Sequence, residues 1–143
     1  MILYCDTSAL IKRYVEEDGT EIVDRLWSVS VGIATSVVAF AETASTFSRK
    51  LREGILTEKE CESTLKTFRT DFDALILVPV APMLNSMIER LVRRYELRGF
   101  DAIHLSSALM IKESASLPLQ FACFDRTLNE AALEEGLTVG LEK

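Results

Sequence analysis

The 143-residue chain is 48% hydrophobic and 27% charged, which excludes a disordered polypeptide and suits one domain able to bury a full core. Its net charge of −6 excludes tight sequence-independent binding to nucleic acid through a wholly basic surface. The longest apolar stretch, Ala74 to Leu84, is interrupted by Pro79 and Pro82 and is too short to cross a membrane; without a basic-then-apolar leader, a cytoplasmic protein is expected.

Ile2–Cys5 is a short apolar run of the kind that fills a buried strand, and it stops at Asp6. A helix is predicted from Ser8 to Glu17, with Leu10, Ile11, Tyr14 and Val15 facing inward, and Asp18-Gly19 makes the turn. Thr20 is read as the cap of a second helix, to about Ser28. Gly32–Thr35 is the second predicted strand. A long helix from Ser36 to about Glu53 follows, with Phe40, Ala44, Phe47 and Leu51 as its core stripe and Glu42 on a different face. Gly54 ends it after Arg49, Lys50 and Arg52.

Thr57 opens a helix whose apolar stripe is Cys61, Leu65, Phe68, Phe72 and Leu75, forming a hairpin with its predecessor. Ile76–Val80 is the third strand, closed by prolines. The next helix, Met83 to Arg98, is strongly amphipathic: Leu84, Met87, Ile88, Leu91, Val92 and Tyr95 face inward, and Gly99 is read as its stop. Asp101 lies in the opening turn of a helix to about Glu113. Leu119–Phe124 is the fourth strand, ending at Asp125. A short helix over Arg126–Glu135, with Thr127 and Glu130 as a capping box, precedes a last strand, Thr138–Leu141. Five short strands separated by helices call for a three-layer α/β domain over 1–143 with a mostly or wholly parallel sheet.

Cys5, Cys61 and Cys123 are odd in number, far apart and without a Cys-x-x-Cys pair, so neither a disulfide framework nor a zinc knot is expected. The chemistry-bearing set is acidic: Asp6, Glu42, Asp101 and Asp125, from four separate elements. Hard cations such as Mg²⁺ and Mn²⁺ take oxygen ligands, and Mg²⁺ keeps several waters beside one or two carboxylates. Such a cluster repels itself when empty, which raises a carboxyl pKa. The competing reading is structural, because three of these acids stand at helix starts, where Asp is favoured as a cap.

The segments that carry these acids are Asp6-Thr7-Ser8-Ala9-Leu10, Ala41-Glu42, Leu97-Arg98-Gly99-Phe100-Asp101-Ala102-Ile103-His104-Leu105 and Phe124-Asp125-Arg126-Thr127-Leu128-Asn129-Glu130-Ala131-Ala132. In this order they resemble the PIN-domain family, in particular the VapC-type toxins of toxin–antitoxin pairs. The resemblance implies a five-stranded sheet of order 3-2-1-4-5, with Asp6 and Asp125 flanking the topological switch point. It implies Asp6, Glu42, Asp101 and Asp125 as catalytic and metal-site acids for Mg²⁺ or Mn²⁺, with Thr7 and Ser8 beside them. It further implies an endoribonuclease toxin of VapBC type, a homodimer, and a VapB-like antitoxin that blocks the cleft.

Arg94 and Arg98 are the candidate contacts to RNA phosphates. His104 shares a helical face with Asp101 but is read as a packed or capping residue. Cys123 stands where relatives often carry Thr or Ser. A binding domain without catalysis, its acidic crevice taking a basic partner segment, is the main alternative. A phosphotransfer domain is disfavoured, because Ser8 occupies the place of the second Asp of a dehalogenase motif and the receiver's acidic pair is missing. Sedimentation at micromolar concentration is expected to give a dimer; a monomer would count against that assembly.

Overall fold

The computed structural model describes residues 1–140. The strands are β1 (Ile2–Cys5), β2 (Gly32–Ser36), β3 (Ile76–Val78), β4 (Leu119–Ala122) and β5 (Thr138–Val139). They form one sheet in the order β3-β2-β1-β4-β5, with every pairing parallel. The helices are α1 (Thr7–Ile11), α2 (Thr20–Val29), α3 (Val38–Arg52), α4 (Glu58–Phe72), α5 (Asn85–Arg94), α6 (Gly99–Ser114) and α7 (Arg126–Glu134). They cover both sheet faces, as an all-parallel sheet requires. Among the described residues no helix is long and apolar enough to cross a membrane.

Every residue of β1 is buried, because its alternate side chains feed two different cores. Ile2 and Tyr4 point into a cluster with Leu105, Phe121 and Leu128 from α6, β4 and α7. Leu3 and Cys5 point into a second cluster with Leu10, Val23, Phe47 and Phe68 from α1 to α4. Aromatic rings dominate that second core. Phe68 lies 5.3 Å from Tyr14, 6.1 Å from Phe47 and 5.4 Å from Phe72, centroid to centroid. The predicted α4 stripe is therefore spent inside the protomer: Cys61, Phe68 and Phe72 are buried, and Leu65 and Leu75 pack against them.

Several local expectations are corrected. Helix α1 stops at Ile11 rather than Glu17, and the turn after it is tied by the Thr20 hydroxyl, which donates to the Val15 carbonyl and accepts from the Glu17 amide. Thr20 thus braces the turn, while Gly19, with φ +98°, is the residue that caps α2. The buried stripe of α3 is Ala39, Thr43 and Phe47; Phe40 lies at the margin, against Phe68 and Phe72. Strand β3 ends at Val78, before the proline that lacks a ladder donor. Pro82–Leu84 forms a 3₁₀ turn before α5, which ends at Arg94.

Gly99 begins α6 instead of stopping α5. Strand β4 ends at Ala122, and the β5 pairing covers Thr138 and Val139; Leu141 lies outside the described residues. The capping box predicted at Thr127 and Glu130 is replaced by Asp125, whose carboxylate accepts from the Leu128 amide at 2.8 Å. A true capping box stands at Thr57 and Glu60. All three cysteines are buried free thiols.

Phe68 has the largest number of aromatic partners in its core, and truncating it leaves a void that rigid neighbouring rings cannot fill. Phe68→Ala is expected to lower stability by about 3–5 kcal/mol in urea unfolding. A loss under about 1 kcal/mol would show that this core is not close-packed.

Candidate functional site

The site is built at the carboxyl edge of the two central strands. Asp6 follows β1 directly and caps α1: its Oδ1 accepts from the Ala9 amide at 3.1 Å and from the Ser8 hydroxyl at 2.7 Å. The Ser8 oxygen in turn accepts from the Phe124 amide at 3.0 Å, which ties the end of β4 to the end of β1. Asp6 is buried and makes no ion pair among the described residues. Burial pushes its carboxyl above the ordinary Asp value, opposed by the nearby His104 and by the bonds from Ser8 and Ala9.

Glu42, in the second turn of α3, faces the same edge. Its Oε1 accepts from the Thr7 hydroxyl at 2.6 Å and lies 2.9 Å from His104 Nε2. Partial burial would raise this carboxyl, but the bonds from His104 and Thr7 outweigh it and hold Glu42 below the usual Glu value. A carboxylate only accepts, so the Nε2 proton faces Glu42. In the neutral ring Nδ1 then accepts from the Tyr4 hydroxyl, 2.9 Å away. Tyr4 is itself held by stacking on Phe121 of β4, with centroids 5.6 Å apart.

This buried relay from the central strand to Glu42 was not anticipated. Tyr4 reads in the sequence as one more apolar strand residue. His104 is packed, as expected, yet it also holds an acid of the site. The only sequence cue is that Asp101 and His104 are spaced by about one helical turn.

Cys123 links the remaining central acid. Its Sγ accepts from the Asp125 amide at 3.1 Å. Burial first, then the charge of Asp6, push its thiol pKa up, opposed by the bond from the Asp125 amide. A neutral sulfur thus sits against the Asp125 backbone, close to Asp6. Asp125 caps α7, and the Asn129 side-chain amide donates to the Cys123 carbonyl at 2.8 Å, bracing the same turn. Asp101 is in the first turn of α6, half-buried, with Arg98 Nε 3.6 Å from its Oδ2.

Glu42 is thus bonded to Thr7, the residue after Asp6, and to His104; Asp6 is tied through Ser8 to Phe124, the residue before Asp125; and Asp101 lies one turn before His104. As the side chains stand, no group of three or more His, Cys, Asp or Glu residues is placed to hold one ion among the described residues. Asp6 combines burial, negative charge and oxygen donors without a basic partner, a donor chemistry that suits a hard cation.

Beside these acids lies an open cleft of about 620 Å³. Thr7, Ser8 and Glu42 form one part of its lining, and Lys12, Arg49 and Lys50 another. Glu17 lines it beside the basic residues, and so do Phe100 and Phe124, the residues preceding Asp101 and Asp125. Gly19 makes room for Phe124: a Cβ there would stand 2.6 Å from the ring, in addition to the strain of its positive φ. Of the two predicted phosphate contacts, Arg98 is exposed beside Asp101. Arg94 instead faces Glu134 and Glu135, at the opposite end of α7 from Asp125.

Comparison with known proteins agrees with this architecture. The family model described as PIN domain matches residues 3–132. Ribonuclease VapC45 of Mycobacterium tuberculosis is 28% identical over 138 residues, which cover 96% of this chain and 94% of that protein. Among solved structures, a toxin–antitoxin complex from Klebsiella pneumoniae matches with a TM-score of 0.69 at 16% identity, covering 100% of both chains. VapC20 of M. tuberculosis, a sarcin–ricin-loop-cleaving toxin, matches with a TM-score of 0.62 at 19% identity, covering 90% of this chain and 94% of that one. At such identities the structural likeness establishes the fold alone.

The raised carboxyl of Asp6 has a stability consequence of definite sign. Its folded pKa exceeds the unfolded value of about 3.9, so its favourable contribution exists below that value and is lost as pH rises through the folded pKa. In metal-free buffer at pH 7, Asp6→Asn is therefore expected to raise the melting temperature, with a difference that shrinks toward pH 4. A variant less stable than the parent at pH 7 and equal to it at pH 4 would reverse the assignment.

Proposed function

The chain belongs to the PIN domain family, and from that premise we propose that it is a metal-dependent endoribonuclease, the toxin of a VapBC-type pair. The observation that carries this reading is that Glu42, held by Thr7 and His104, and Asp6, tied through Ser8 to the Phe124 amide that precedes Asp125, stand at the carboxyl edge of β1 and β4. Its likeness to a VapC ribonuclease and to a toxin–antitoxin complex supports RNA as substrate and an antitoxin as partner.

In this reading Asp6 and Asp125 would hold Mg²⁺ or Mn²⁺, hard cations for which one or two direct carboxylates suffice. Once bound, the cation supplies activation of a water and neutralises charge on the phosphate. Glu42, kept ionised by Thr7 and His104, takes the proton from the attacking water. Asp101 orients that water or shares the cation, and Arg98 beside it meets a phosphate of the RNA. Ser8 acts one step back, fixing Asp6 on one side and the β4 end on the other.

The antitoxin would cover the cleft with a segment bearing Arg or Lys, drawn to the carboxylates in place of the cation. A homodimer acting in the cytoplasm completes the proposal. Asp6→Asn is expected to abolish Mg²⁺- or Mn²⁺-dependent cleavage of RNA, with an unchanged far-UV spectrum. Cleavage at the parental rate in that variant would refute the assignment.

A further inference from the structure

Two donors converge on a single oxygen of Glu42. The Thr7 hydroxyl reaches Oε1 at 2.6 Å and His104 Nε2 lies 2.9 Å from the same atom, while Oε2 has no bonded partner among the described residues. Behind His104 stands Tyr4, whose hydroxyl is 2.9 Å from Nδ1. Tyr4 is fully buried and His104 is 2% exposed, and neither lines the cleft. The direction of the protons follows by elimination. Ser107 and Thr35 stand beside the Tyr4 hydroxyl, but their own protons go to the carbonyls of Ile103 and Cys5, at 2.7 Å each. The Tyr4 proton is therefore the one that meets Nδ1. A neutral imidazole that accepts at Nδ1 carries its proton on Nε2, where it faces a carboxylate that can only accept. The opposite tautomer would set a lone pair of Nε2 against Oε1.

We infer that Tyr4 and His104 are positioning residues for the cleavage step: the Tyr4 hydroxyl sets the tautomer and plane of His104, and His104 with Thr7 locks Oε1, leaving Oε2 as the one oxygen of Glu42 that takes the proton of the attacking water. The inference rests on the ribonuclease reading and adds that the rate depends on a hydroxyl that neither substrate nor cation meets. The last torsion of a Glu side chain is broad, so an unheld carboxylate would present its oxygens in many orientations. Pinning one oxygen leaves the other a single line of approach, and small misplacements at a reacting group are costly in rate. Tyr4 is held by its stack on Phe121, 5.6 Å between centroids. Tyr4→Phe keeps that stack, removes one oxygen and leaves Nδ1 without a donor.

The test uses the full chain in two measurements. His104 is the only histidine, so long-range proton–nitrogen NMR of the metal-free protein at pH 8 reads its tautomer without assignment. The parent is expected to carry its proton on Nε2, with Nδ1 as an acceptor; in Tyr4→Phe the Nδ1 resonance is expected to move to that of an unbonded acceptor. Cleavage of a mixed-sequence RNA pool is followed in Mg²⁺ buffer under single turnover. Tyr4→Phe is expected to lower the maximal rate about tenfold and to change the half-saturating protein concentration by less than about twofold. Gln keeps a donor near the Nε2 position and has no nitrogen at the Nδ1 position, so His104→Gln is expected to lose less rate than His104→Leu. In the Gln background Tyr4→Phe is expected to cause no further loss, because no tautomer remains to be set.

A parent protonated on Nδ1, or on both nitrogens, would overturn the inference whatever the rates. An undiminished rate in Tyr4→Phe would overturn it while leaving the ribonuclease reading intact. The same tenfold loss in the His104 and Gln backgrounds would make Tyr4 a packing residue only, and so would a fall in melting temperature large enough to account for the lost rate. No cleavage by the parent chain would sink the ribonuclease reading and the positioning role with it.

Discussion

The structure depends on placing a negative charge at the end of its most buried strand. Both faces of β1 are covered, so the chain that follows it has little water to turn into. Asp6 manages this by ending the strand and starting α1 in one residue, its carboxylate accepting from Ala9 and Ser8. These bonds offset part of the desolvation without removing it, and the carboxyl pKa remains raised. A Ser or Asn would cap α1 about as well without that cost. The retained charge makes sense where a cation is expected.

Around that charge the fold arranges two kinds of support. One is a tie between strands: Ser8 bonds both to Asp6 and to the amide of Phe124, so the ends of β1 and β4 cannot separate without breaking the site. The other is the buried relay of Tyr4, His104 and Glu42. A buried imidazole with an unpaired nitrogen would be costly, and here both nitrogens have partners. Tyr4 reaches His104 only because parallel pairing of β1 with β4 stacks it on Phe121. The orientation of Glu42, on a helix across the cleft, is thus set from inside the sheet.

These constraints also explain the uneven surface. The acids lie at the carboxyl ends of the central strands, where open α/β sheets place their ligand crevices. The basic residues come from α1 and the last turns of α3, where Arg49 and Lys50 also complement the helix dipole. A chain with net charge −6 can therefore present a local cationic wall.

Much was legible in the amino-acid sequence because it is written in short-range terms. The apolar run Ile2–Cys5 and the turns at Gly19 and Gly54 are local signals, and both glycines do adopt positive φ. Alternation of strands and helices called for the parallel sheet, and the motif segments carried its order and its four acids. Local signals failed where a distant partner decided the outcome. Apolar spacing through Tyr14 and Val15 suggested more helix, yet Thr20 ties that stretch into a turn. Gly99 looked like a helix stop, yet it opens α6. Phe40 and Ala44 matched a core stripe, but Ala39 and Thr43 are the residues buried beside Phe47. By itself, then, the sequence determined the elements and their order, since propensity, period and motif act over a few residues. Only the tertiary structure decided that Tyr4 and His104 hold Glu42, that Cys123 sits against the Asp125 backbone close to Asp6, and that Lys12, Arg49 and Lys50 line the cleft. Those contacts join residues far apart in the chain, and only packing the helices on the sheet brings them together.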